Sequence, residues 1–538
     1  MTSSTQLSPR LSTPISSWLI LPLLLLGCAR DKPSEGAGGA TDGEVETPED
    51  TAVSDAGGAD TAGTGQTTGG DSDGDSGAGS GDDTGLIDSG DSGATGDAGG
   101  DTDSASPGTI PDLPVAGCGA PAYSWQPLEA MGAVLDYEDA GLSYPASGID
   151  LVMEAYGLGE YTPVPYGVKV WRVRYVTQDR GEQVEATALV SVPDLPEPAS
   201  VPALVFLHPT TGFTGECAPT ATGLTGGAFN ILFSSQGAAV VTPDYLGMNG
   251  WGEPSELLHP YMVAEPTAVA SLDGLRALHA FAADQELAAQ PDPAQTLLMG
   301  ASEGGFAALW AQRYAPRYAP EFTILGVAAA VAPSNPPAVA ADAVASLSDT
   351  TWAVAAALAT ANPWYGEPAP LSDALTDEEP HSFASTLAER LTAECYTYGD
   401  EDITSVAALF QEDVAAALLD GGEAAPFTCY LEESSLRSER IALEPTGAAA
   451  APAPVLLTGA SRDLIVGVEP IRDDVPALCD MGYEVEYMEC SGIGHIAGSL
   501  DPIPLQWEWL LARLDGAPLG ETCVVTEPIE CPDLYNVL

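Results

Sequence analysis

Gln295-Thr296-Leu297-Leu298-Met299-Gly300-Ala301-Ser302-Glu303-Gly304-Gly305-Phe306-Ala307-Ala308-Leu309-Trp310 holds the transition that decides the fold. An apolar run of strand length enters a turn of small residues, and an alanine-rich helical pattern leaves it. The turn reads G-x-S-x-G, the nucleophile-elbow pattern. Small neighbours let the serine take up strained backbone angles and stand clear of the sheet. The same geometry sets Ser302 at a helix N-terminus, where backbone N–H groups and the dipole favour developing negative charge. Gly70-Asp71-Ser72-Asp73-Gly74 spells the pattern equally well but has neither strand before it nor helix after it. Context selects Ser302 as the nucleophile and dismisses Ser72.

Outward from this turn, short apolar runs alternate with longer helical patterns. Residues 169–176 and 185–192 alternate in and out, as a half-exposed hairpin does. The runs at 203–207, 237–241, 295–299, 324–328 and 454–457, with a last one at 484–488, are read as parallel strands, most of them apolar as strands covered on both faces are. Helical stretches such as 266–283 and 303–315 lie between them. Antiparallel strands followed by β-α alternation predict an α/β fold, a mostly parallel sheet with helices on both faces. More than a hundred residues of helical pattern interrupt the rhythm before the strand near 454, which predicts a helical insertion over 334–451. Its Trp352, Trp364, Tyr365 and Phe383 either line an apolar pocket or pack the insertion on itself.

A serine hydroxyl needs a base, and the base needs an orienting acid. Downstream of Ser302 only His381 and His495 are available. His381 falls in the insertion, whereas His495 follows the last strand, at the carboxyl edge of the sheet where open α/β folds bind ligands. His495 is therefore the base. Asp463 follows the strand at 454–457 and is the acid, with a helix N-cap before Leu464-Ile465-Val466 as its other reading. Asp473 and Asp474 fall inside the next helical segment. The oxyanion hole needs two N–H donors. One is Glu303, next after the nucleophile, and the other is Thr210 or Thr211, because Pro209 has no N–H. His208 is read as shaping that loop.

The chain has 538 residues and a formal charge of −62, which excludes nucleic acid and anionic headgroups as electrostatic partners. Residues 1–28 read as an export signal too short to span a bilayer. Its end, Leu25-Leu26-Gly27-Cys28, resembles a bacterial lipobox, making Cys28 a site of lipidation and the N-terminus a membrane anchor. Residues 29–112 read as a disordered tether, with 19 acidic residues against one lysine between 31 and 110. Eight further cysteines suit an oxidising compartment and allow 105 pairings. No C-x-x-C or H-x-x-x-H spacing calls for zinc, and the chemistry needs no cofactor.

Several stretches together resemble the secretory lipases of the α/β-hydrolase superfamily. They are His208-Pro209-Thr210-Thr211-Gly212 with Cys217-Ala218-Pro219, Thr242-Pro243-Asp244-Tyr245-Leu246-Gly247, His259-Pro260-Tyr261, and Leu272-Asp273-Gly274-Leu275-Arg276-Ala277, followed by the elbow, Asp463 and His495. The resemblance covers roughly residues 120–515 and implies hydrolysis of small-molecule or lipid esters with a helical cap over the acyl site; with the strand pattern it gives an α/β-hydrolase core over 113–333 and 452–538 and a cap over 334–451, and the lipobox sets the protein at the cell envelope. The resemblance further implies that Cys217 ties the oxyanion loop and Cys490 the C-terminal tail. Pro209 departs from the glycine of many relatives. A serine peptidase of the same fold and a non-catalytic binding protein remain as alternatives.

Overall fold

A computed structural model describes residues 113–155, 164–378, 381–393, 395 and 403–536. The export signal, Cys28, the tether and Ser72 lie outside the described residues. Nine strands form one sheet: β1 (Val134–Asp139), β2 (Gly167–Asp179), β3 (Glu182–Asp194), β4 (Ala199–Leu207), β5 (Ala239–Pro243), β6 (Ala289–Ala301), β7 (Ile324–Ala330), β8 (Val455–Ala460) and β9 (Val485–Cys490). Their order is β1-β2-β3-β5-β4-β6-β7-β8-β9. The first three pairings are antiparallel and the rest parallel. Every run read as a strand is one. The sequence reading missed β1, whose side chains are almost all exposed and therefore carry little apolar alternation.

The continuous apolar runs are explained by burial on both faces. Along β4, Ala203, Val205 and Leu207 pack toward one layer, and Leu204 and Phe206 toward the other. The helices outside the insertion are α1 (Ala146–Ala155), α2 (Leu224–Ser235), α3 (Ala264–Asp284), α4 (Glu303–Tyr318), α10 (Val468–Asp480), α11 (His495–Leu500) and α12 (Ile503–Leu514). α3, α4 and α10 share the first layer's core, and α2 and α12 share the second's. Between β7 and β8 come α5 (Pro336–Ala345), α6 (Asp349–Trp364), α7 (Phe383–Ala393), α8 (Glu412–Asp420) and α9 (Phe427–Glu433). Buried alanines on several faces of α6 let neighbouring helices approach closely, and Ser348 and Thr351 close a capping box at its start. Trp352, Trp364, Tyr365 and Phe383 are buried in the insertion's packed core and none of them lines the cavity at Ser302, while Trp364 also reaches Asp179 and Arg180 where β2 turns into β3.

Register sets the site. Leu207 pairs with Gly300, Ala301 with Ala330, Ala330 with Thr458, and Ala460 with Cys490, so the strands end nearly flush. The chain segments leaving β4, β6, β8 and β9 are thereby gathered at one edge of the sheet.

The insertion is fastened to the core by buried polar groups. Trp364 Nε1–H donates to Asp179 (2.8 Å), and the Gly117 N–H donates to Glu433 (2.8 Å). Arg440 pairs with Glu433 and reaches Glu265 at 3.5 Å, while the Tyr123 hydroxyl donates to Glu265. Burial pushes Glu265 up to about 8, and Asp244 and Asp273 up to about 6. An unfolded chain would titrate these groups near 4, so the native state binds more protons than the unfolded one between about pH 4 and pH 8. Their contribution to stability is full below that window and is lost as pH rises through it. The thermal midpoint should therefore fall between pH 5 and pH 8, and Glu265→Gln should flatten the fall. A midpoint that rises over this range in the native chain would contradict the sign.

Candidate active site

Ser302 sits between β6 and α4 with φ 54° and ψ −121°, a conformation that side-chain-bearing residues rarely adopt. The turn is held by the Ser302 N–H donating to the Ala330 carbonyl (2.8 Å) and the Phe306 N–H donating to the Ser302 carbonyl (3.0 Å). Its glycines are required by close approach. A Cβ at Gly304 would overlap the Leu207 carbonyl at the end of β4, and one at Gly300 would overlap the Gly304 carbonyl.

Three side chains from three strand exits form a hydrogen-bonded row. The Ser302 hydroxyl donates to His495 Nε2 (2.9 Å), and His495 Nδ1–H donates to Asp463 Oδ2 (2.7 Å). The other Asp463 oxygen, Oδ1, accepts the N–H groups of Ile465 (2.8 Å) and Val466 (3.0 Å). Asp463 therefore caps the turn after it and faces His495 at once, so its two readings coexist. Burial alone would raise its carboxyl, but the His495 charge and these hydrogen bonds outweigh it and hold Asp463 below its usual range. The β8 and β9 exits are laced together by Arg462 N–H to Ile493 O (2.9 Å) and Gly492 N–H to Ser461 Oγ (2.7 Å). Asp473 and Asp474 lie on α10, as the sequence implied, and Asp474 is engaged by Ser334 and Arg437.

The loop after β4 lies against the same turn. The carbonyls of Leu207 and His208 both face Gly304. His208 Nδ1–H donates to the Pro209 carbonyl (2.8 Å), its own carbonyl accepts the Tyr245 hydroxyl (2.9 Å), and burial pushes its imidazole below the ordinary value. It braces the loop. Thr210 is buried and its hydroxyl meets that of Tyr261 (3.1 Å). Glu303 is the first residue of α4, where a backbone N–H has no partner within the helix. Sequence reasoning missed one residue here. The buried His259 contacts the Glu303 carboxylate at 2.8 Å, and no local pattern links positions 259 and 303.

Above Ser302 opens a largely apolar cavity. Val339, Ala353, Ala357 and Leu431 from the insertion face Ile465 and Val466 across it, and no lining side chain is charged. Cys217, just beyond the loop after β4, is disulfide-bonded to Cys395 of the insertion, and Cys490 to Cys531 of the C-terminal tail. Both ties implied by the family resemblance are present. Cys118–Cys429 and Cys479–Cys523 complete four disulfides. Among the described residues no group of three or more His, Cys, Asp or Glu is arranged to hold a metal ion.

A strained serine elbow on a mostly parallel sheet, with His and Asp delivered by later strand exits, defines an α/β-hydrolase. Residues 231–522 match the sequence profile of the secretory lipases, and the chain belongs to that family. The fold is similar to that of the rice cell wall degrading esterase LipA from Xanthomonas oryzae, at 18% identity and TM-score 0.56 over 72% of this chain and 100% of that one. It is also similar to lipase A of Candida antarctica in its closed state, at 19% identity and TM-score 0.52 over 74% and 86% of the two chains. No curated protein is similar enough in sequence to match.

The Gly304–Leu207 contact leaves no room for a methyl group. Gly304→Ala should cost about 1–3 kcal/mol of stability by overpacking, read from urea unfolding. A cost within roughly 0.5 kcal/mol, the usual range for surface changes, would mean the turn is looser than described.

Proposed function

We propose that the protein hydrolyses carboxylic esters by a Ser302–His495–Asp463 triad through an acyl-enzyme. The observation that carries this is the unbroken hydrogen-bonded row from Ser302 Oγ to Asp463 Oδ2 at the floor of an apolar cavity. With Nδ1–H committed to Asp463, His495 Nε2 is free to take the Ser302 proton as Oγ attacks the ester carbonyl. The oxyanion is met by the N–H of Glu303 and by that of Thr210 or Thr211. His495 then returns the proton to the leaving alcohol. Water enters, loses a proton to Nε2 and releases the acid.

The cavity supports an acyl chain as the group held above Ser302, because its walls are aliphatic. The lack of charged lining favours an ester over a peptide, whose termini and backbone would call for polar partners. On this reading residues 334–451 act as a cap over the acyl site, and 113–333 with 452–538 as the hydrolase core. The secretory family and four disulfides fit an exported protein. We further place it at the bacterial envelope, with a lipid on Cys28 and residues 29–112 as a tether.

Ser302→Ala should reduce turnover of p-nitrophenyl esters, acetate to palmitate, by about 10³-fold or more, as loss of a triad nucleophile does. Ser72→Ala should change nothing. Retained esterase activity in Ser302→Ala, or its loss in Ser72→Ala alone, would sink the assignment.

A further inference from the structure

Directly behind the elbow lies a second proton-bearing pair. The Glu303 carboxylate is fully enclosed, and its Oε1 sits 2.8 Å from Nε2 of the equally buried His259. The other ring nitrogen, Nδ1, lies 3.0 Å from the Leu246 carbonyl. A carbonyl only accepts, so Nδ1 carries a hydrogen. A neutral imidazole has one N–H, which leaves Nε2 bare, and two bare acceptors do not bond. The two contacts together therefore require one further proton between Nε2 and Oε1. Whether that proton sits on the ring or on the carboxyl, the pair sums to zero charge.

The surroundings are built to hold this ring. It stacks on Tyr245 with centroids 5.9 Å apart and planes 11° apart, and Phe213 and Tyr261 flank it. Gly247 has φ 88°, and a Cβ there would come within 2.7 Å of the His259 backbone. Two titratable groups face the pair from the strand exits beneath it, His208 after β4 and Tyr245 after β5. Burial lowers the His208 imidazole and raises the Tyr245 phenol, so both are uncharged at neutral pH. Neither can offset a carboxylate on Glu303. On the far side of Ser302 stands His495, which is committed to Asp463.

We propose that His259 is a positioning residue for the ester hydrolysis proposed above, sharing with Glu303 the one proton that keeps the pair, and so the oxyanion site beside it, neutral. The inference rests on that reading, because Glu303 supplies one of the N–H groups facing the oxyanion. A carboxylate on the same residue without this compensating proton would oppose the charge that develops there, in a buried setting where such repulsion is poorly screened. The effect belongs to the transition state, so it acts on kcat and leaves KM nearly alone.

The test is a double-mutant cycle on the full chain with a p-nitrophenyl ester, using His259→Phe in the native background and in a Glu303→Gln background. His259→Phe should cost about 10²-fold in kcat where residue 303 is Glu, in the range for losing an oxyanion donor, with KM held within about twofold. In the Glu303→Gln background, where no charge needs cancelling, the same substitution should cost less than about fivefold in kcat. Circular dichroism checks the fold of each variant, and His259→Gln replaces His259→Phe if the latter fails to fold. Equal cost in both backgrounds would mean that His259 only fills space, and no cost in either would remove it from the reaction. Ser302→Ala run beside them separates the two claims. Activity that survives it sinks the Ser302 reading, whereas activity lost there with an unresponsive cycle sinks only the role of His259.

Discussion

The contact between the Leu207 carbonyl and Gly304 is the constraint on which the rest of the site depends. It brings the end of β4 against the first turn of α4, with no side chain between them. That closeness holds Ser302 at a positive φ and sets the loop after β4 beside the N-terminus of α4. Donors from two separate segments can then face one point. A looser turn would separate them, and hydrogen bonds further out could not restore the geometry.

Much of this was legible in the sequence because each signal was local. Strands covered on both faces carry long apolar runs, as 203–207 and 297–299 do. The elbow declares itself by what flanks it, which is why Ser302 and not Ser72 was chosen. His495 and Asp463 followed from chain order and strand ends. β1 was not legible because an edge strand with exposed side chains carries no burial signal. The four aromatics of the insertion could not be assigned from spacing, since a pocket wall and a packed core use the same residues. The His259–Glu303 contact was hidden for another reason: it joins positions 44 residues apart through a loop and a helix start.

The helical insertion is held by apolar packing that takes in Phe213, Tyr261 and Val263 of the core, and the chain adds covalent ties and buried charge. Cys118–Cys429 and Cys217–Cys395 close separations of 311 and 178 residues. In the chain-entropy account, closing loops this long stabilises the fold by roughly 5 kcal/mol each. Cys217–Cys395 fastens the insertion beside the loop after β4, and Cys118–Cys429 fastens it to the segment before β1. Arg440 with Glu433 and Glu265, and Asp179 with Trp364, add directional contacts at the same junction. Fixing the insertion fixes the wall that Val339, Ala353, Ala357 and Leu431 present to Ser302. Stability and the shape of the cavity above Ser302 are thus set by the same ties.

The most direct measurement is covalent. A fluorophosphonate attacks only a serine whose oxygen is activated by a base, and it leaves a stable adduct that peptide mass spectrometry can locate. The account predicts a single adduct on the peptide carrying Ser302, formed in step with the loss of ester hydrolysis. Inactivation with the adduct on another serine, or ester hydrolysis that persists in fully labelled protein, would contradict it.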